Sequence, residues 1–147
     1  MGLLPDVSAY FIAAGLAFGI AQLIKYFLNK RMANSSGWRQ LYMSGRMPSG
    51  HTATMVALAT VVAVRDGLES GLFAVTAVIA IITAYDAMMS RRSAGEQGLA
   101  LTKLLQKSPF AKDPLPYVAL GHKPLEVLAG GTLGIVIGLV VAFLITK

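Results

Sequence analysis

The chain has 147 residues, enough for one domain, and 55% of them are hydrophobic against 14% charged; that balance is too apolar for a soluble domain of this size. Cysteine is absent and there are two histidines, His51 and His122, so disulfides and thiolate metal sites are excluded, and with no clustered carboxylates neither a metal site nor a cofactor is expected. The net charge of +6 falls in connections between apolar runs, with few aromatics among the cations. It points away from nucleic acid and toward anionic headgroups, chain orientation or a phosphate-bearing substrate.

In chain order, the first apolar run covers residues 7–24 without a charge, and Lys25 closes it. No basic residue precedes it, and its length suits a span rather than a cleavable signal. Residues 26–47 form a connection carrying Lys30, Arg31, Arg39 and Arg46. A second span is expected around residues 52–64, between His51 and Arg65, reaching full length only if residues 48–67 are counted. Arg65, Asp66, Gly67 and Glu69 make a tight turn into a third span, residues 70–85, which Asp86 interrupts before residues 87–90. A long connection, residues 91–125, carries Arg91, Arg92, Lys103, Lys107, Lys112 and Lys123. Within it Leu101, Leu104 and Leu105 lie opposite Lys103 and Lys107, the pattern of an amphipathic interfacial helix. Pro109, Pro114 and Pro116 then break regular structure, and residues 127–146 form the clearest span. The fold expected is all-α: a single domain over residues 1–147, an integral membrane bundle of about four transmembrane helices plus the amphipathic helix.

Four crossings place both long connections on one membrane face. Both are rich in lysine and arginine, so that face is expected to be cytoplasmic, with the termini outside. Gly15 and Gly19 on the first span, and Gly130, Gly134 and Gly138 on the last, are ridges that let backbones approach closely. Packing within the chain is the first reading; a homodimer seam is the other.

The same up-and-down threading gathers the polar residues. Gln22 and Lys25 end the first span, His51 begins the second, Asp86, Arg91 and Arg92 end the third, and His122 and Glu126 begin the fourth. Ionisable groups at such positions are costly and tend to be functional. Each has an ordinary reading alone: Lys25 snorkels, the arginines anchor the chain, Asp86 pairs with one of them, His51 caps a helix, His122 is a loop residue, and Glu126 meets the positive end of its own helix. Jointly the group suits phosphoryl transfer, which needs cations on the phosphate oxygens, a nucleophile and an acid for the leaving group. Pro-Ser-Gly before His51 opens a helix whose amides at Ser49 and Gly50 can cradle phosphate. Glu126, four residues after His122, can hold one imidazole nitrogen and leave the other free to attack.

Four stretches, AQLIK, GWRQLYMSGRMPSGHTA, YDAMMSRRSAGEQ and LGHKPLEVLAGGTLG, give the chain a resemblance over nearly its whole length to the type 2 phosphatidic acid phosphatase superfamily. These are membrane lipid phosphatases related to vanadium haloperoxidases, and the chain looks most like their small divergent branch. The resemblance implies that Lys25, Ser49, Gly50 and one or both of Arg91 and Arg92 hold phosphate. It implies that His51 protonates the leaving group, that His122 becomes phosphohistidine, and that Glu126 stands where the larger family has aspartate. It departs from the larger family in its four spans, in the missing arginine-proline partner after the lysine, and in the 29 residues between Arg92 and His122. The activity implied is hydrolysis of a phosphomonoester or diphosphate on a polyprenyl or glycerolipid phosphate. The rivals are a non-catalytic protein that binds or moves an anionic lipid with the same cluster, and a vanadate-dependent oxidase.

Overall fold

The computed structural model describes residues 8–32, 47–109, 114–115 and 118–145, with the side chains of 29–32 excepted. Five helices account for most of them: α1 (Ser8–Met32), α2 (Gly50–Arg65), α3 (Gly71–Met88), α4 (Ser90–Gln106) and α5 (Pro124–Ile145). No strand occurs among the described residues. Three helical stretches are long and apolar enough to cross a membrane: Ser8–Leu28, the run Gly71–Gln106 that contains α3, and Pro124–Ile145.

The shorter α2 is the hub. It packs against α5, α1 and α3, and its buried residues, Gly50, Thr52, Ala53, Ala57, Ala59, Val61 and Val62, go round most of its circumference. Sixteen residues rise about 24 Å, less than the roughly 30 Å of hydrocarbon. A helix wrapped by three neighbours meets protein instead of lipid, which is why its apolar run reads as the weak one.

Small side chains set the approach of the other helices. On α1, Ala9, Ala13, Ala17 and Ala21 recur every fourth residue and are all fully buried. On α5, a Cβ at Gly134 would lie 2.5 Å from the Ala53 carbonyl oxygen, and one at Gly138 would lie 2.6 Å from the Thr60 Cβ. A Cβ at Gly130 would run into the Ser49 carbonyl. The last-span glycine ridge thus packs within the chain. The first-span ridge does not: Gly15 and Gly19 are exposed with nothing within 4 Å, and the alanine face of α1 makes the contact instead. Large residues point the other way. Phe11, Phe27, Val75, Ile81, Ile82, Phe143 and Leu144 are all more than half exposed. An outward shell of this kind in water would drive aggregation; around a bundle held by close small-residue packing it is the surface that lipid covers.

Helix boundaries correct the expectation in two places. Lys25 ends the apolar run but not the helix, because lysine is a good helix former, and α1 continues to Met32. The third span and the amphipathic helix are almost continuous: Met89 alone breaks the pattern, its N–H bonding Tyr85 O and its carbonyl accepting from Ser93 N. Arg91 and Arg92 therefore stand on the first turn of α4, not at the end of the third span. The last helix begins at Pro124, a residue suited to a first helical turn. Residues 33–46, including Arg39 and Arg46, and Lys112 and Pro116 lie outside the described residues.

The turn from α2 to α3 forms as expected. Gly67 adopts φ +89°, which favours glycine, and Ser70 caps α3 by accepting from Phe73 N at 3.1 Å. At this end of the bundle Tyr10 Oη donates to Asp66 Oδ2 at 2.6 Å, and the Arg65 guanidinium lies over the Tyr10 ring. The start of α1 is thereby tied to the end of α2, leaving Lys25 and His51 together at the other end.

Candidate active site at one end of the bundle

At that other end four helix termini meet. Pro124 opens α5, and Glu126 in its first turn folds back: Oε2 accepts from Lys123 N–H at 3.1 Å and lies 3.1 Å from His122 Nδ1. The histidine is itself pinned from behind, since its backbone N–H donates to Ala87 O at 2.9 Å. His122 is 5% exposed and the Lys25 side chain is equally buried. Burial pushes the His122 imidazole below its ordinary pKa, and the Glu126 hydrogen bond and carboxylate charge partly oppose this while Lys25 and Arg91 add to it. The ring is held neutral near pH 7, with Nδ1 engaged by the carboxylate, which leaves Nε2 as the nitrogen for other chemistry.

His51, on the first turn of α2, is exposed, and its ring meets the edge of Phe18 at 6.4 Å. Arg91, His122, Lys25 and Asp86 are all close enough to act on it electrostatically, as Lys25 is close enough to act on Glu126. The structure thus brings together Lys25, His51, Asp86, Arg91, His122 and Glu126, as the threading argument expects. Gln22 sits one turn before Lys25 on the same helix, half-buried.

The two arginines separate. Arg91 Nε donates to Asp86 Oδ2 at 2.6 Å, which keeps it beside the histidines, whereas Arg92 Nε turns to Glu96 Oε1 at 3.1 Å along α4. Asp86 thus holds an arginine in a structural ion pair, the ordinary role expected for it.

Ser49 differs from expectation. Its backbone N–H is not left free at the helix start but donates to Glu126 O at 2.9 Å, and its hydroxyl pairs with Thr52 Oγ1 at 2.9 Å. Ser49 is fully buried against Gly130. It locks the start of α2 to the start of α5, and so fixes the two histidine-bearing turns relative to one another. The amides of the next residues remain at an N-terminus that no side chain caps, where the helix dipole favours an anion.

Two features escaped sequence reasoning. One is Phe18, a residue in mid-span with no polar signal. The other is the seam beneath the nucleophile candidate. A Cβ at Gly121 would run into the backbone of Arg92, and one at Gly95 would lie 2.8 Å from Ala119 O. Glycines at 95 and 121 let the strand of chain before His122 lie flat on α4. Gly121, next to the histidine, was the one legible hint.

A multi-pass, all-helical membrane protein with imidazoles, cations and a carboxylate gathered at one end is the class that fold and site define. The chain belongs to the Divergent PAP2 family, whose profile matches residues 7–137, a family of phosphatase-related membrane proteins. It is 41% identical over 138 residues, 84% of this chain and 87% of the relative, to the "Uncharacterized membrane protein YuiD" of Bacillus subtilis (strain 168). No solved structure matches the chain.

Proposed function

We propose that this protein is a lipid phosphate phosphatase acting through a phosphohistidine intermediate. The observation that carries the reading is the pair of buried His122 and part-buried Glu126, with Nδ1 committed to the carboxylate and Lys25, Arg91 and His51 gathered around the same ring. Lys25 and Arg91 hold the phosphate oxygens, with the Gly50 amide at the start of α2. His122 Nε2 attacks phosphorus; the P–N bond forms as the P–O bond to the lipid breaks, and protonated His51 gives its proton to the leaving oxygen. Water then loses a proton to His51 as its oxygen bonds phosphorus, the P–N bond breaks, and inorganic phosphate departs. Glu126 stabilises the positive charge that His122 acquires as the P–N bond forms and gives up as that bond breaks. The substrate is a mono- or diphosphate on a polyprenyl or glycerolipid. On this reading the protein works in the cell membrane with its site on the cytoplasmic face, a sidedness supported by the basic connections that flank that end.

The test compares His122→Ala and His51→Ala on a lipid phosphate and on an aryl phosphate, after each variant is shown to be folded in detergent. A lipid alkoxide is a poor leaving group and needs the acid; a phenolate needs it far less. His51→Ala should lose most activity on the lipid and keep more on the aryl ester, while His122→Ala loses both. Near-normal turnover by His122→Ala on either substrate would eliminate the mechanism and favour a lipid-binding role for the cluster.

A further inference from the structure

Beside the polar cluster lies an apolar cavity of about 620 Å³ between α1 and α5, lined among others by Ile24, Pro48, Leu125, Leu128, Thr132 and Val136. Three of these adjoin site residues in sequence: Ile24 precedes Lys25, Pro48 precedes Ser49, and Leu125 precedes Glu126. The groove therefore begins where the cluster ends. From Leu125 to Val136 it follows α5 for about 16 Å, close to half of the roughly 30 Å hydrocarbon core. Its axis thus runs from one membrane face to the bilayer centre, the path of one lipid chain in that leaflet.

We infer that this groove is the hydrocarbon subsite of the cluster, receiving one chain of a phosphate-bearing lipid with its phosphate among Lys25, His51, Arg91 and His122 and its tail end beside Thr132 and Val136. The assignment rests on the phosphatase reading for its headgroup, but binding does not require turnover. The occupant follows from the junction: a membrane lipid without an anionic head leaves buried Lys25 and the α2 amides unmatched at the polar end, whereas a free phosphate leaves the groove empty.

The experiment uses the full chain in phosphatidylcholine vesicles with two photoreactive dodecyl phosphates, one bearing a diazirine near the phosphate and one at the chain end. The near-head probe should label Ile24 and Leu125, and the chain-end probe Thr132 and Val136. Excess dodecyl phosphate should suppress both severalfold, and dodecyltrimethylammonium, with the same chain and the opposite charge, should not. Ala129 also lines the groove, and Ala129→Trp, which fills it, should cut chain-end labelling severalfold with helix content by circular dichroism unchanged. Labelling of Val78, Ile81 and Ile82 on α3 as strong as that in the groove, or equal competition by the cation, would overturn the assignment and leave only lipid at the protein surface. Phosphate release measured beside labelling on the wild-type chain separates the two claims. Groove labelling without phosphate release from the wild-type chain removes the hydrolase and keeps the subsite; phosphate release with scattered labelling does the reverse.

Discussion

Replacing Glu126 with glutamine tests the centre of the mechanism while sparing the fold. The carboxylate is half of a 3.1 Å contact to His122 Nδ1 and also accepts from Lys123 N–H. A glutamine carbonyl can take over the second role, so the start of α5 should persist and Tm change little. What is lost is charge beside an imidazole that becomes cationic during phosphoryl transfer. A hydrogen bond to a charged group contributes about 1.5–3 kcal/mol, so kcat/KM should fall about 10- to 150-fold. The pH profile gives an independent sign. Attack needs neutral His122, so activity is present above its folded pKa and is lost as pH falls through it. Burial already sets that pKa below the ordinary 6.5, and Glu126 pulls it up. Glu126→Gln must therefore move the acid limb to lower pH even as the plateau drops. The same depression makes the unfolded chain bind more protons just below pH 6.5. The stability contributed by neutral His122 is complete above that pH and declines as pH falls toward the folded value. Phosphate release from a lipid phosphate in mixed micelles, followed across pH 5–9, reads both effects. A kcat/KM within about twofold of wild type, or an acid limb shifted upward, would refute the reasoning.

Four further outcomes follow from the geometry. Gly134→Ala should destabilise the bundle by about 1–3 kcal/mol, because its Cβ meets α2 backbone, whereas Gly131→Ala, with nothing within 4 Å, should be neutral or stabilising by up to about 1 kcal/mol; thermal melts in detergent compare them. Arg91→Ala should raise KM for lipid phosphate far more than Arg92→Ala, since Asp86 holds the first beside the histidines and Glu96 draws the second away; similar effects would remove the distinction. In a chain without native cysteine, Ser93→Cys should resist an impermeant thiol reagent in intact cells and Glu69→Cys should react, and the opposite pattern would reverse the proposed orientation. Activity should survive a chelator, as fixed cations do the work that a metal would otherwise do; loss restored by magnesium would contradict this.

Much of the site was legible because two rules are local. Apolar stretches of bilayer length mark the spans, and charged residues at their edges mark the faces. Alternating direction then assigns Lys25, His51, Asp86, His122 and Glu126 to one end by parity alone, without any knowledge of packing. The four-residue step from His122 to Glu126 is likewise a property of one helical turn. Choices between chemically equal candidates needed the tertiary structure. Both glycine ridges read alike, yet only Gly130, Gly134 and Gly138 meet another helix, because α1 presents its alanine face to α2. Arg91 and Arg92 are adjacent and identical, and side-chain direction on α4, set by the Met89 break and by carboxylates at 86 and 96, separates them. The fate of the Ser49 amide depended on a carbonyl 77 positions away in the chain, that of Glu126. Spacing along a sequence determines which groups share a helix face or a membrane face; which of them touch is decided by how helices from distant parts of the chain fit against one another, and no local pattern encodes that fit.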